Sequence, residues 1–274
     1  MDIPPWKVQK ALFQFARSRG IDPKRVPPVL GVLPALIRMS GSFSHSHRVV
    51  RDVGKVLLMR EVPTIIVPVC PAYSHRKGVY TYQGLGEGIP LLVKAHLPFL
   101  QRVQKLLPTS QVRILLADHE ASIPELCTAM GISQEEFSRR VARSIIATQR
   151  LVRSLGWEVL PMTAFVQGFV ENVEAVEMRL RDSPKYCRFL RLETEERSEV
   201  YRKIGYPRRA YFRRTTQTAA QYVHLGEFAM REGYLICNHS TLNLAWYARA
   251  ATGFLHNPIR IYAVKDSVPA EPEE

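Results

Sequence analysis

The order of apolar and polar residues along the chain predicts short strands that alternate with helices. Two apolar runs rich in β-branched residues, Thr64 to Val69 and Val112 to Ala117, are separated by a helical segment from Leu91 to Leu107. Strand-like runs joined by a helix are typical of a parallel βαβ unit. Further strands are predicted at Trp157 to Met162, Tyr234 to Cys237 and Pro258 to Val264. The pattern predicts an α/β fold, with a mostly parallel sheet flanked by helices.

The chain before the first strand has a helical pattern. Trp6 to Arg19 is amphipathic and ends at Gly20, and Arg48 to Arg60 is a second predicted helix. A chain of 274 residues is long enough to bury a sizeable core. We therefore expect one α/β domain over residues 1–265, with a helical segment at about residues 1–60. Residues 266–274, rich in Pro and Glu, are expected to form a flexible tail.

The net charge is the most informative bulk property. The composition, 46% apolar and 23% charged, is that of an ordinary globular protein. Lys and Arg number 38 against 25 acidic residues, which gives a formal charge of +13. Such a charge attracts polyanions, namely nucleic acid, anionic membrane or phosphorylated substrates. The alternative is a basic protein with no polyanionic partner.

Cysteine spacing and known motifs exclude several classes of protein. The four cysteines form no C-x-x-C pair, which argues against a zinc ribbon or a disulfide scaffold and favours a reducing, cytoplasmic location. The first residues lack the features of a signal peptide, and no apolar run approaches the roughly 18 residues of a spanning helix, so no membrane is expected. The segment Leu85 to Gly88 lacks the three-glycine dinucleotide pattern, and no Walker P-loop or His-Glu-x-x-His is present. We expect no cofactor and no metal.

Polar side chains follow three of the predicted strands. They are Cys70, Tyr73, Ser74 and His75 after the first strand, Asp118 and His119 after the second, and His239 after a late one. Ligands of open α/β sheets bind at the carboxyl ends of the strands, so these residues predict a site. Ser74 or Cys70 would serve as a nucleophile, and Asp118 would bind an amine or a ribose hydroxyl. The alternatives are a buried Cys70, a Ser74 that caps a turn, and an Asp118 that caps the next helix.

Two segments concentrate positive charge. The predicted helix Gln134 to Leu155 has apolar residues on one side and arginines on the other, and Tyr201 to Arg214 interleaves six cations with four aromatics. Arginines neutralise phosphates and aromatics stack on unpaired bases. The alternatives are a solvated helix face and a loop whose aromatics pack inward. The candidate nucleic-acid-binding residues are Arg139, Arg140, Arg143, Arg150, Arg153, Arg208, Arg209, Arg213 and Arg214.

These features together resemble the tRNA-dependent cyclodipeptide synthases. The resemblance rests on Ala72-Tyr73-Ser74 after the first strand, Asp118 after the second, the arginine-faced helix, and a late helix, Thr215 to Arg231, with Tyr222 and Glu227. It implies a Rossmann-like core similar to that of class I aminoacyl-tRNA synthetases. It also implies that Ser74 accepts an aminoacyl group from tRNA, that Tyr222 and Glu227 hold its amine, and that the basic helix binds the tRNA.

A second set of segments resembles the isocyanide synthase family, which joins an amino-acid nitrogen to a carbon from a sugar phosphate. Val69-Cys70-Pro71 and Leu85-Gly86-Glu87, with the strand Val112 to Ala117, carry this resemblance. The expected function is transfer of an aminoacyl group from tRNA to make a small amino-acid-derived product. The alternatives are an isocyanide synthase and a non-catalytic RNA-binding protein. The candidate substrate-binding residues are Tyr73, His75, Glu87, Asp118, His119 and His239.

Overall fold

A five-stranded parallel sheet forms the centre of the molecule. The computed structural model describes residues 5–39, 47–69, 73–76, 79–82, 89–119, 123–203, 205–239 and 258–261. The sheet strands are β1 (Thr64–Val69), β4 (Gln111–Leu116), β5 (Glu158–Pro161), β6 (Tyr234–His239) and β7 (Pro258–Ile261). Their order is β5-β4-β1-β6-β7, and every neighbouring pair is parallel. The first strand is central and the chain extends the sheet first to one side and then to the other, which is a Rossmann-like arrangement. The predicted fold class is confirmed.

Helices cover both faces of this sheet. They are α1 (Pro5–Ser18), α2 (Val26–Met39), α3 (His47–Met59), α4 (Leu91–Leu106), α5 (Pro124–Ala129), α6 (Gln134–Val152), α7 (Met162–Phe165), α8 (Phe169–Asp182), α9 (Pro184–Lys203) and α10 (Tyr211–Glu232). Short 3₁₀ turns lie at Pro23–Arg25, Arg153–Leu155 and Arg208–Ala210. Within the described ranges, no helix combines the length and the apolar character needed to cross a bilayer.

Alternate residues of the strands enter two different apolar cores. Ile65 and Val67 of β1 belong to a core that includes α1, α2, α3 and α4 and the end of α6. Ile66 lies in the opposite core, with α7, α8 and α10. All six residues of β1 are buried, because a central parallel strand is covered on both faces. This explains why β1 is a continuous apolar run in the sequence.

Trp157 attaches the helices to the start of β5. Its fully buried indole donates from Nε1 to Gln104 Oε1 of α4 at 2.8 Å. Its carbonyl accepts from Gln149 Nε2 of α6 at 2.9 Å, and Gln149 Oε1 accepts from the Val159 amide at 2.8 Å. The strand predicted at Trp157 to Met162 is therefore shorter, since Trp157 is an anchor and Met162 begins α7.

The segment after β1 differs from the sequence-based expectation. The sequence indicates only a polar strand end after β1, but Tyr73–Arg76 form strand β2, which pairs antiparallel with β3, Val79–Tyr82. Ser74 lies opposite Thr81 in this hairpin, and β2 contacts α4. Tyr, Val and Thr favour extended backbone, which outweighs the polar character of the segment. The expected tail at 266–274 lies outside the described residues.

Candidate functional site

The carboxyl ends of the strands meet at one edge of the sheet. Leu116 lies beside Val69 and beside Pro161, and His239 lies beside Ile261. The register of β1 with β6 pairs Thr64 with Tyr234, and continuing it places His239 beside Val69. The chain leaves β1 toward β4 on one side and reaches β6 on the other, so β1 and β6 flank the switch point where open α/β sheets bind ligands.

Asp118 lies at this edge and binds a neighbouring helix. Its Oδ1 accepts from the Thr163 amide at 3.0 Å, and its Oδ2 accepts from the Thr163 hydroxyl. Thr163 is in the first turn of α7, so Asp118 caps the helix that follows β5 and not α5, the next helix in the chain. An ionised carboxylate has about four acceptor positions, so these two bonds leave Asp118 the capacity to bind a further donor.

Three rings form a row from the edge into the core of α8 and α10. The His119 ring meets Phe169 edge-on at 5.8 Å between centroids, and Phe169 meets the His224 ring at 5.5 Å. His224 is buried on α10, and burial lowers the pKa of its imidazole, with Arg231 and Arg179 adding to the effect. A neutral imidazole therefore lies behind the polar edge of the sheet.

The hairpin carries three of the predicted site residues, Tyr73, Ser74 and His75. Tyr73 follows Val69 by four residues, so the start of β2 is at most about 14 Å from the end of β1. The backbone thus brings Ser74 near the edge that carries Asp118. Cys70 and Glu87 lie outside the described residues, as do the side chains of Tyr73, Ser74, His75 and His239.

Tyr222 and Glu227 occupy different parts of α10. Five residues apart on one helix, they point about 140° away from each other. Since α10 is antiparallel to β6, Tyr222 is level with the carboxyl edge, whereas Glu227 lies about 8 Å closer to the amino edge. Glu227 Oε1 accepts from Arg179 Nη2 of α8 at 2.5 Å. The structure does not bring Glu227 to the polar edge.

The two buried cysteines, Cys127 and Cys237, do not supply a nucleophile. Burial raises the pKa of the Cys237 thiol well above its usual range, and Cys127 is buried in an apolar cluster. A thiol must ionise to react, so a buried thiol of this kind is inert. Over the described ranges, no group of His, Cys, Asp and Glu is arranged to hold a metal ion.

The two basic segments meet around one apolar cluster beyond the carboxyl edge. Phe137 and Val141 of α6 pack there with Tyr201 and Tyr206, which belong to the second segment. Both α6 and α10 begin on this side of the sheet, because each runs down to the start of the strand that follows it. We call the exposed or half-buried arginines around this cluster the basic surface: Arg139, Arg140, Arg143, Arg208, Arg209 and Arg213.

Ion pairs reduce the charge of part of this surface. Glu136 pairs with Arg139 at 2.8 Å and with Arg140 at 2.6 Å, and the hydrogen bond from Arg140 lowers the pKa of the Glu136 carboxyl. Arg213 pairs with Glu125 at 3.4 Å. Arg208 and Arg209 are exposed and form no ion pair with any residue in the described part of the chain. Within the basic surface they are therefore the arginines most open to a polyanion.

Three arginines and the aromatics of the second segment differ from the expectation. Arg214 is only 2% exposed, so it is not part of the exposed surface. Arg150 and Arg153 are exposed but lie at the other end of α6, about 21 Å along the axis between Arg139 and Arg153. Tyr201 packs against the rings of Tyr206 and Tyr211 at 5.9 Å and 5.1 Å. The aromatics pack inward, which was the alternative interpretation.

A cavity of about 220 Å³ lies at the opposite edge of the sheet. Its walls include Leu57, Pro63 and Leu107, and the last two precede β1 and β4. Ligands of open α/β sheets bind at the carboxyl edge, so this cavity is not the candidate site.

The burial of polar residues on α10 is not evident from the sequence. Gln221 is 5% exposed and His224 is 7% exposed, and both lie on one face of the helix with Gln217. Their spacing of three and four residues was visible in the sequence, but the same spacing is typical of a solvated face.

Comparison of the chain with family models, curated proteins and solved structures gives no match.

Proposed function

We propose that the protein is an enzyme that transfers an aminoacyl group from tRNA to make a small amino-acid-derived product. The observation that carries this proposal is the position of the basic surface. Arginines of α6 and of the turn before α10, about 70 residues apart in sequence, meet on the side of the sheet where the polar edge lies. A polyanion held there would present its end to the sheet edge at which Rossmann-like folds bind substrates.

Ser74 is the proposed acceptor of the aminoacyl group. Its hydroxyl oxygen would attack the ester carbonyl, the ester bond would break, and the terminal ribose oxygen would leave with a proton. A serine needs a base to take its own proton, and His75, His119 and His239 are candidate imidazoles near this edge. A second nucleophile would then release the aminoacyl group from Ser74.

Asp118 and Tyr222 are the proposed residues that hold the amine of the aminoacyl group. Asp118 keeps open acceptor positions at the edge, and Tyr222 is level with that edge on α10. Glu227 has a different role in this proposal, because its carboxylate joins α8 to α10 through Arg179. A tRNA-dependent reaction of this kind would take place in the cytoplasm.

The test is to incubate the protein with tRNA that carries a labelled amino acid. We expect deacylation, a covalent acyl-protein and a small labelled product. Ser74→Ala should lower the rate at least about 1,000-fold, because it removes the nucleophile. Thr81→Val is the matched control, since it removes a hydroxyl from the paired position of the same hairpin and should retain activity. Cys70→Ala tests the other candidate nucleophile.

The outcomes separate the alternatives. Binding of tRNA without turnover, unchanged by Ser74→Ala, would support a non-catalytic RNA-binding protein. Turnover of a free amino acid with a sugar phosphate, and none with tRNA, would support an isocyanide synthase. Loss of activity in Cys70→Ala with full activity in Ser74→Ala would show that Cys70, and not Ser74, is the nucleophile.

A further inference from the structure

Three polar side chains on one face of α10 have buried atoms that lack hydrogen-bond partners. We call Gln217, Gln221 and His224 the α10 stripe. Gln217 Oε1, Gln221 Nε2 and His224 Nε2 have no hydrogen-bond partner among the described residues. An unpaired buried polar group is costly to a folded protein, so three on one helix face require an explanation. A ligand with complementary atoms would remove that cost.

The stripe lies at the height of the carboxyl edge of the sheet. The three residues are spaced by four and then three positions, which places neighbouring Cβ atoms about 5–6 Å apart on one face. Counted up from Glu232, His224 is about 12 Å, Gln221 about 17 Å and Gln217 about 23 Å above the start of β6. Strand β6 itself rises about 17 Å, so the stripe begins below the carboxyl edge and continues above it.

The chemistry of the stripe selects an uncharged, planar ligand. Each glutamine amide provides both a donor and an acceptor, and His224 is a neutral imidazole that provides one of each. The three side chains of the stripe carry no charge, and the buried Arg214 lies three residues before Gln217 on the same helix. The Phe169 ring, which contacts the His224 ring at 5.5 Å, adds an apolar surface beside these polar atoms. A nucleobase edge has this combination of donor, acceptor and flat apolar faces.

We infer that the α10 stripe binds the adenine edge of the terminal adenosine that carries the aminoacyl ester. This inference rests on the proposed function. Glutamine pairs with adenine through the N6 donor and the N7 acceptor, and a base held there would lie next to the edge where the ester must react. The arginines of the basic surface would hold the phosphates, and the stripe would identify the base that bears the substrate.

The test is equilibrium binding of free adenosine, compared with guanosine, cytidine and uridine. We expect adenosine to bind best and Gln221→Met to weaken adenosine about 10- to 100-fold, because methionine keeps the volume but removes the amide. Gln14→Met is the matched control: it makes the same exchange at an exposed position of α1 and should leave adenosine binding unchanged. Gln217→Met provides a second variant if Gln221→Met does not fold.

A stability measurement separates ligand binding from a structural role. Replacing an unpaired buried amide by an apolar side chain should leave the free energy of unfolding unchanged or raise it. A Gln221→Met variant that is less stable and binds adenosine normally would overturn the inference. Equal binding of all four nucleosides, absence of adenosine binding at millimolar concentration, or preferential binding of free glutamine would also overturn it.

Adenosine carries no aminoacyl group, so this experiment does not depend on catalysis. Adenosine binding that Gln221→Met weakens, in a protein that does not deacylate tRNA, would keep the inference about the stripe and remove the proposed reaction. Deacylation of tRNA, together with adenosine binding that the stripe variants do not change, would keep the proposed reaction and remove the inference about the stripe.

Discussion

His224 is a side chain through which pH should act on stability. Burial lowers the pKa of its imidazole, and Arg231 of the same helix and Arg179 of α8 lower it further. Arg179 is itself paired with Glu227, whose Oε1 lies 2.5 Å from the Arg179 Nη2. In the unfolded chain the imidazole takes up its proton near pH 6.5. Below that pH the unfolded state therefore binds more protons than the folded state, which favours unfolding.

We predict that the free energy of unfolding is highest above about pH 6.5 and falls as the pH decreases through the folded pKa of His224. His224→Gln should reduce this fall, because the new side chain does not titrate. The measurement is urea unfolding of both proteins between pH 5 and pH 8. A variant with the same pH dependence as the unchanged protein would contradict the prediction.

Asp118 illustrates how a residue at a sheet edge acquires more than one role. The sequence indicates only that a carboxylate follows a buried strand. The structure adds that both carboxylate oxygens contact Thr163, which fastens the end of β4 to the first turn of α7. Its capping role supports the position of the site, and its remaining acceptor positions allow the proposed contact with an amine.

The end of α10 is joined closely to the N-terminal helices. The Arg60 guanidinium, just after α3, donates to the Glu232 carbonyl and lies 4.3 Å from the centre of the Tyr234 ring. Gly233, between α10 and β6, has φ +71°, and a Cβ at this position would come 2.7 Å from the Met59 Cβ. The turn therefore requires glycine both for its backbone conformation and for its contact with α3.

Two glycine substitutions separate these requirements. Gly156 has φ +69° and open space where a Cβ would lie, so Gly156→Ala should cost about 1–2 kcal/mol of unfolding free energy from backbone strain alone. Gly233→Ala should cost about 1–3 kcal/mol more, because the new methyl group collides with Met59. Urea denaturation of the two variants measures the difference. Equal losses of unfolding free energy in the two variants would show that Met59 accommodates the new methyl group at no cost in stability.

The distribution of charge over the whole molecule determines where a polyanion binds. The net charge of +13 does not by itself specify a surface. Glu135 and Glu136 pair with arginines of α6, which lowers the charge of that helix near its start. Arg208 and Arg209 remain exposed next to the polar edge, whereas Arg150 and Arg153 are exposed at the far end of α6. Two double variants that remove the same charge, one at Arg208 and Arg209 and one at Arg150 and Arg153, can therefore be compared.

We predict that Arg208→Ala combined with Arg209→Ala weakens tRNA binding and reduces the salt dependence. Each lost phosphate contact should lower the slope of log K against log salt by about 0.7–0.9. Arg150→Ala combined with Arg153→Ala removes the same charge and should leave the slope unchanged. Filter binding at several salt concentrations measures both. Equal effects of the two variants would mean that net charge, and not the basic surface, governs binding.

Much of the architecture follows from local patterns. The apolar runs at β1 and β4 predict strands buried on both faces, and their separation by one helix predicts a parallel crossover. A serine just before a helix with Glu three residues on is a local capping pattern, and the Ser133 hydroxyl accepts from the Glu136 amide at 3.0 Å. The hairpin of β2 and β3 was not predicted, because the polar residues near Ser74 obscured the β-forming pattern of the tyrosines, valine and threonine.

The chain itself determined the α/β class and the polar strand ends, because periodicity and strand termination are local properties of a sequence. The tertiary structure decided which charged and polar residues share an environment. It buried Arg214, Gln221 and His224, paired Glu227 with Arg179, and brought two distant basic segments around one apolar cluster. These outcomes depend on contacts between helices far apart in the chain, and helical spacing alone cannot distinguish a solvated face from a buried one.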